Sequence, residues 1–214
     1  MHVLLDNLDL FVLGFTNTVI MFVISAVLSL ALGLVIGVLR IAPSTPMRAV
    51  GTVYVNLLRN TPLALLMMFF ALGYPKLGLP TLDYLTLAIV ALVLYTASYV
   101  AEVFRSGVNS VPVGQMEAGR AIGMTFGQLI RVVLVPQAFR NVVPPLISVF
   151  IALLKNTTVA SGFSVMQAGA IAANMSERGE NLLATLLWVA LFFFILVMGL
   201  AAVQRKFERK WAHK

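Results

Sequence analysis

Five stretches of the chain run continuously apolar: about Leu10 to Leu39, Val50 to Tyr74, Leu82 to Phe104, Val142 to Phe163 and Leu182 to Val203. A helix needs roughly 20 such residues to cross about 30 Å of hydrocarbon, so each segment is long enough to span a membrane. The runs lack the alternation of barrel strands, and lipid tolerates only elements that satisfy their own backbone. Helices are therefore expected. The first run is long enough to tilt or to begin as an interfacial turn. Composition agrees. The chain is 60% hydrophobic and 11% charged, against about 45–50% and about 25% in soluble domains. Mean hydropathy is +0.97. Met1 to Asp9 holds two aspartates and a histidine but no Lys or Arg. That is not the n-region of a signal peptide, so the first run is expected to stay as a span. The chain has no cysteine, which excludes disulfides and thiolate chemistry.

The net charge of +7 is distributed by loop. Arg40 and Arg48 flank the first connection, and Arg105, Arg120, Arg131 and Arg140 lie in or beside the third. Arg205, Lys206, Arg209, Lys210 and Lys214 form the tail. The other side has Lys76 and Arg178, with Lys155 near a helix end. The positive-inside rule predicts an outside N-terminus and a cytoplasmic C-terminus. A basic tail beside a span points to anionic lipid rather than to nucleic acid.

The third connection, 105–141, is unusually long for a membrane loop. It is neither low-complexity nor Pro/Ser-rich, so it is expected to fold. Ala118, Ala121 and Ile122 share one helix face at i, i+3 and i+4. Gly123 permits a left-handed turn after them. Thr125 with Gln128 makes a capping box for a second helix. Phe126, Leu129, Ile130 and Val133 give that helix an apolar side, and Pro136 is expected to stop or kink it. The product is a helix–turn–helix knob. Periodicity leaves open whether lipid or protein covers it.

The spacing within this loop resembles the EAA loop of ABC importer permeases: E-A-A, three residues, G, nine residues, I-x-L-P. Here it reads Glu117-Ala118-Gly119, then Gly123, then Val133-Leu134-Val135-Pro136. Gly119 replaces the third Ala, Val133 the Ile and Val135 the Leu. Gly119 weakens helix propensity slightly but permits closer packing. The resemblance is closest to polar amino acid permeases. It extends through Arg59-Asn60-Thr61-Pro62, Tyr99 to Gly107, Gly114-Gln115, Pro136 to Arg140 and Leu154-Lys155-Asn156-Thr157-Thr158. It implies an all-α membrane protein of one domain, 1–214, with five transmembrane helices. The core would be that of a type I importer, with a cytoplasmic coupling loop. Glu117, Ala118, Gly119, Ala121, Ile122, Gly123 and Pro136 would couple to a partner ABC ATPase that binds ATP and Mg. A second permease chain, identical or related, would complete the path, and an extracytoplasmic binding protein would deliver an amino acid. The expected location is the bacterial inner membrane.

Polar groups inside spans carry a functional expectation by default. Arg59 lies well inside the second run, with Thr61 and the helix-breaking Pro62 after it. Two readings stand: a cation for a substrate carboxylate, or a structural partner of helix carbonyls or Glu102. For Glu102 the simpler account is a pair with Arg105 or an anchor for the loop. Tyr95 and Ser98 are candidates on the path, although Ser often bonds its own helix. Asn156, Thr157 and Thr158 stand where the resembling family often carries K-D-T/S. The neutral Asn156, beside Lys155 and Arg59, favours acidic or neutral substrates such as glutamate, aspartate or glutamine. The other reading has Asn156 bonding a neighbouring helix, with selectivity set by the partner permease or the binding protein. Gly33-x-x-x-Gly37 and Ala97-x-x-x-Ala101 permit close helix contact, between chains or within one.

The sequence has no phosphate loop, so energy must come from a partner or an ion gradient. His2 and His213 are its only histidines, which argues against a Ser–His dyad at Ser161-Gly162. Carboxylates are too sparse for a proton relay, which weighs against the alternative of an ion-coupled secondary transporter or channel subunit. A scaffold without transport would need neither Arg59 nor a folded loop. The chain is expected to catalyse nothing itself and to hold no metal or cofactor.

Overall fold

Four helices of the computed structural model are long and apolar enough to cross a membrane, or five if one bent pair counts as a span. The structure describes residues 2–212, so His213 and Lys214 of the basic tail lie outside the described residues. After a turn at His2–Leu5, α1 covers Leu8–Ile41 and α2 covers Thr45–Arg59. Next come α3, Leu63–Met68, prolonged by tighter and wider turns to Leu77, and α4, Tyr84–Asn109. The short α5 is Val113–Ala121, and α6 runs without interruption over Phe126–Phe163. A reversed segment leads to α7, Ile171–Glu177, and α8, Leu182–Ala212, ends the described chain. Asp83 caps α4 by accepting the Thr86 N–H at 2.7 Å.

The centre of the bundle is the contact of α1 with α4. A Cβ on Gly33 would stand 2.5 Å from the Cβ of Val100 and 2.9 Å from the Ala97 carbonyl oxygen, and one on Gly37 would stand 2.7 Å from Phe104. Ala97 and Ala101 are fully buried. The two small-residue steps therefore meet each other within one chain. Met21, Met67, Leu92 and Leu153 extend this core towards the far end of the bundle. Gly33→Ala should cost about 1–3 kcal/mol, because part of the obstruction is backbone and cannot rotate away. Gly199→Ala has nothing within 4 Å and should be neutral or slightly stabilising. Thermal unfolding of both variants in detergent tests the contrast.

Two boundaries differ from the sequence expectation. The second run, 50–74, is not a straight helix: α2 and α3 meet at 95° across Asn60–Pro62. Pro62 has no N–H to donate and forces Thr61 away from helical geometry. The Thr61 hydroxyl donates to the Leu57 carbonyl at 2.8 Å, which satisfies an acceptor freed by the break. The second difference is at Pro136, which does not end its helix. A widened turn over Leu129–Leu134 comes just before it, and the Val135 N–H donates to the Ile130 carbonyl. Such a π turn shifts the bonding register at the point where proline would strain an α-helix. The fourth span therefore starts at the knob itself. The connection 105–141 shrinks to the segment from Ser110 to Thr125, which contains α5. Likewise α8 carries Arg205, Lys206, Arg209 and Lys210 on one continuous helix.

Candidate functional site

Tyr95, Tyr99, Glu102 and Ser106 recur every three or four residues along α4, and Ser110, which caps it, continues the spacing, so they form one polar face. That face looks onto α6. A cavity of about 380 Å³ is lined by Tyr95, Thr96 and Tyr99 with Ser148 and Asn156 of α6. A second, of about 480 Å³, is lined by Glu102, Ser106 and Ser110 with Asn141 and Pro145. At its end the Asn141 amide donates to the Ser110 hydroxyl at 2.7 Å. There Gly107 lets the helices touch, since a Cβ on it would lie 2.3 Å from Val142 Cγ2.

The charges of the site converge on Glu102. Arg40 pairs with its Oε2, Arg105 Nη2 lies 2.6 Å from Oε1, and Arg59 Nη1 lies 3.4 Å from Oε2. Three guanidinium groups against one carboxylate leave a formal excess of +2. The Arg59 guanidinium also stands 5.2 Å from the centre of the Tyr99 ring, within cation–π range. Tyr99 in turn shares a hydroxyl–hydroxyl hydrogen bond of 2.9 Å with Tyr95. Arg59 therefore pairs with Glu102, as its structural reading requires. Yet its side chain keeps 40% exposure, against 9% for Arg40.

The sequence candidates separate into two groups. Tyr95 and Asn156 face one cavity together. The hydroxyls of Ser98, Thr157 and Thr158 instead donate to the carbonyls of Tyr95, Leu154 and Lys155, at 2.6, 2.7 and 2.7 Å. Thr61 is likewise spent on its own helix. None of the four lines the two α4–α6 cavities. Sequence reasoning missed Tyr99, Ser148 and Arg40. Tyr99 carried a signal, since it follows Tyr95 by one helical turn.

At the opposite end of α6 lies the knob. α5 carries Glu117, Ala118, Gly119 and Ala121, and Ile122 caps it. Gly123 follows at φ +83°. Its N–H donates to Arg120 O at 2.9 Å and the Met124 N–H donates to Gly119 O at 3.1 Å, the paired bonds of a Schellman turn. Thr125 and Gln128 form the expected capping box. The face of α5 that packs is not its apolar one. Ala118, Ala121 and Ile122 point outward, and α5 instead rests on α6 through Gly119. A Cβ on Gly119 would lie 2.4 Å from Leu129 Cδ2, and Leu129 is buried. Val113, Ile122 and Phe126 are left more than two-thirds exposed, an apolar surface without an intrachain partner.

The model of the family described as "Binding-protein-dependent transport system inner membrane component" matches residues 29–213. The "Probable glutamine ABC transporter permease protein GlnM" of Bacillus subtilis (strain 168) is 35% identical over 97% of this chain and 96% of its own length. The "Glutamate transport system permease protein GluC" of Corynebacterium efficiens is 35% identical over 94% and 93%. Matches named for arginine and cystine transport are also present. A solved structure described as "Crystal structure of an amino acid ABC transporter with histidines" superposes with a TM-score of 0.90. It is 26% identical and covers 97% of this chain and 96% of its own.

Proposed function

This chain belongs to the family of binding-protein-dependent transport system inner membrane components, and from that premise we propose that it passes acidic or neutral polar amino acids along the α4–α6 face. It is the permease subunit of an amino acid ABC importer and a multi-pass inner-membrane protein. Membership removes the need for an ion-coupled transporter reading. Glutamate, aspartate and glutamine are the proposed substrates.

One observation carries the choice: three arginines surround one glutamate on the polar face, and the neighbouring cavity offers Asn156 rather than a carboxylate. Bringing a further positive charge to within about 4 Å of an unmatched one costs about 4 kcal/mol at an effective dielectric of about 20. A lysine or arginine side chain meets that cost, whereas a carboxylate gains from the same excess. Tyr95, Tyr99 and Asn156 offer neutral hydrogen-bonding groups for the rest of the ligand.

In this reading the protein does no covalent chemistry. A separate ATPase binds ATP and Mg and docks on the knob around Glu117, Ala118, Ile122, Gly123 and Phe126. A second permease chain closes the path. An extracytoplasmic binding protein loads it from the side that also holds the N-terminus, and the basic end of α8 lies in the cytoplasm on anionic lipid. The test is displacement of labelled L-glutamate from the purified permease–ATPase complex without binding protein, so that only the permease selects. Unlabelled glutamate, aspartate and glutamine are expected to displace it and arginine is not. Arginine displacing better than glutamate overturns the substrate assignment.

A further inference from the structure

We infer that Gln167 is a positioning residue that fixes the Asn156 end of α6 against α1 and so sets the affinity of the substrate cavity. The inference rests on reading that cavity as the substrate path. Beyond Asn156 the chain tightens over Thr157–Phe163, reverses at Ser164 with φ 59°, and returns over Ala168–Ala170. Between the two arms lies Gln167, a fully buried polar side chain. Its Nε2 donates to the Thr158 carbonyl at 3.1 Å, and its Oε1 accepts the Gly169 N–H at 2.6 Å. One amide thus clips the outgoing arm, two residues past Asn156, to the returning arm.

The returning arm is in turn fastened to α1. The Ala168 N–H donates to Thr18 Oγ1 at 3.0 Å, and the Thr18 hydroxyl donates to Gly14 O at 2.9 Å. The Asn17 amide donates to Met166 O at 2.7 Å. Gly14 lets the arm approach, since a Cβ there would lie 2.9 Å from Ile171. Irregular backbone is tolerated in such a setting only when every polar group finds a partner within the protein. Satisfying backbone alone would make Gln167 a structural residue. Its choice of Thr158 as acceptor adds more. α6 is one continuous helix from the knob to Phe163, and the Gln167–Thr158 bond joins its cavity end to the reversed segment that α1 holds. Leu153 and Ala160 hold this end of α6 in the core, and without the Gln167 bond the turn past Asn156 loses its tether to the returning arm, which loosens the spacing of Asn156 from Tyr95 and Tyr99.

The test is equilibrium binding of labelled L-glutamate and L-glutamine to the purified permease–ATPase complex, alongside its basal ATPase rate and melting temperature. Gln167→Met keeps the length and removes both hydrogen bonds. We expect Kd to rise about tenfold, the equivalent of one lost hydrogen bond in a preorganised site, with basal ATPase rate unchanged. Gly169→Ala provides a second route if the first variant fails to assemble. Its Cβ would sit 3.1 Å from both Gln167 Nε2 and Thr158 O, displacing the clip without deleting it. It should weaken binding in the same direction by less. An earlier melt with wild-type Kd in both variants overturns the positioning role and leaves a structural one. Asn156→Ala is the control for the site. If it leaves Kd unchanged, or if wild type binds neither amino acid, the substrate cavity itself is misplaced and the positioning role falls with it. If Asn156→Ala weakens binding and neither of the other variants does, only the role of Gln167 falls.

Discussion

Replacing Glu102 by glutamine should destabilise the protein by about 1–3 kcal/mol, less than the loss of a fully buried pair costs, because Glu102 keeps 24% exposure and only Arg40 is nearly buried. The wild-type cluster is not itself a large source of stability. Taking Arg40 and most of Glu102 out of water costs nearly what their mutual attraction returns. Deletion is asymmetric because the arginines remain. Arg40, whose side chain is only 9% exposed, has no other carboxylate partner among the described residues. Arg105 loses its 2.6 Å contact and Arg59 its 3.4 Å contact. Three like charges then face one another between α1, α2 and α4, where an unpaired charge cannot be neutralised by losing its proton, because arginine does not deprotonate in proteins. Arg59→Ala should cost far less. Its contact is the longest of the three and its side chain 40% exposed, so solvent screens it. Melting of the purified complex, with Glu102→Gln well below wild type and Arg59→Ala near it, checks the ranking. Equal shifts would mean that the Arg59 contact matters far more than its length and exposure indicate.

Local signals in the sequence translated into structure where the physics is local. Four of the five apolar runs became membrane-length helices because lipid leaves no alternative for their backbone. Gly123 and the Thr125–Gln128 pair became a turn and a cap because their bonds close within five residues. Tyr95 stands out as a polar group in apolar surroundings and Asn156 through the family resemblance, and the two line one cavity. What stayed hidden depended on distant partners or on geometry that pattern does not encode. Arg40 meets Glu102 across 62 positions, and neither its depth nor its direction is written nearby. Pro62 announced a break but not a 95° bend. Periodicity showed that two sides of α5 differ, but not which of them packs on α6. The choice was made by Gly119, whose missing side chain lets Leu129 close in. Pro136 reads as a stop or a kink because the wide turn that absorbs it has no signature in residue type.

Gly123→Val should reduce ATP-driven uptake by roughly tenfold or more, with the purified complex still assembled, if the knob is the ATPase contact proposed above. Gly123 sits at φ +83°, and nothing lies within 4 Å of the position a Cβ would take. The cost is therefore purely conformational. A left-handed residue with a side chain costs about 1–3 kcal/mol, and β-branched valine lies at the upper end because that region is hardest for it. Such a penalty depopulates the turn about 5- to 150-fold relative to alternatives in which α5 leaves Leu129. Helix α6 carries the knob at one end and Asn156 at the other, roughly 45 Å away at 1.5 Å per residue. A turn that fails to hold α5 on α6 would therefore disconnect the drive from the cavity without touching either. Three substitutions at the same position separate backbone from surface. If only the turn matters, uptake should rank Gly and Asn highest, Ala lower and Val lowest, because Asn enters the left-handed region with little strain and Val does not. If Gly123 is instead required bare, because partner backbone approaches it, Asn should fail as badly as Val although its turn is intact. Glu117→Ala, on the helix that precedes the turn and with ordinary geometry, should impair uptake through lost contact alone and leave the melting temperature unchanged.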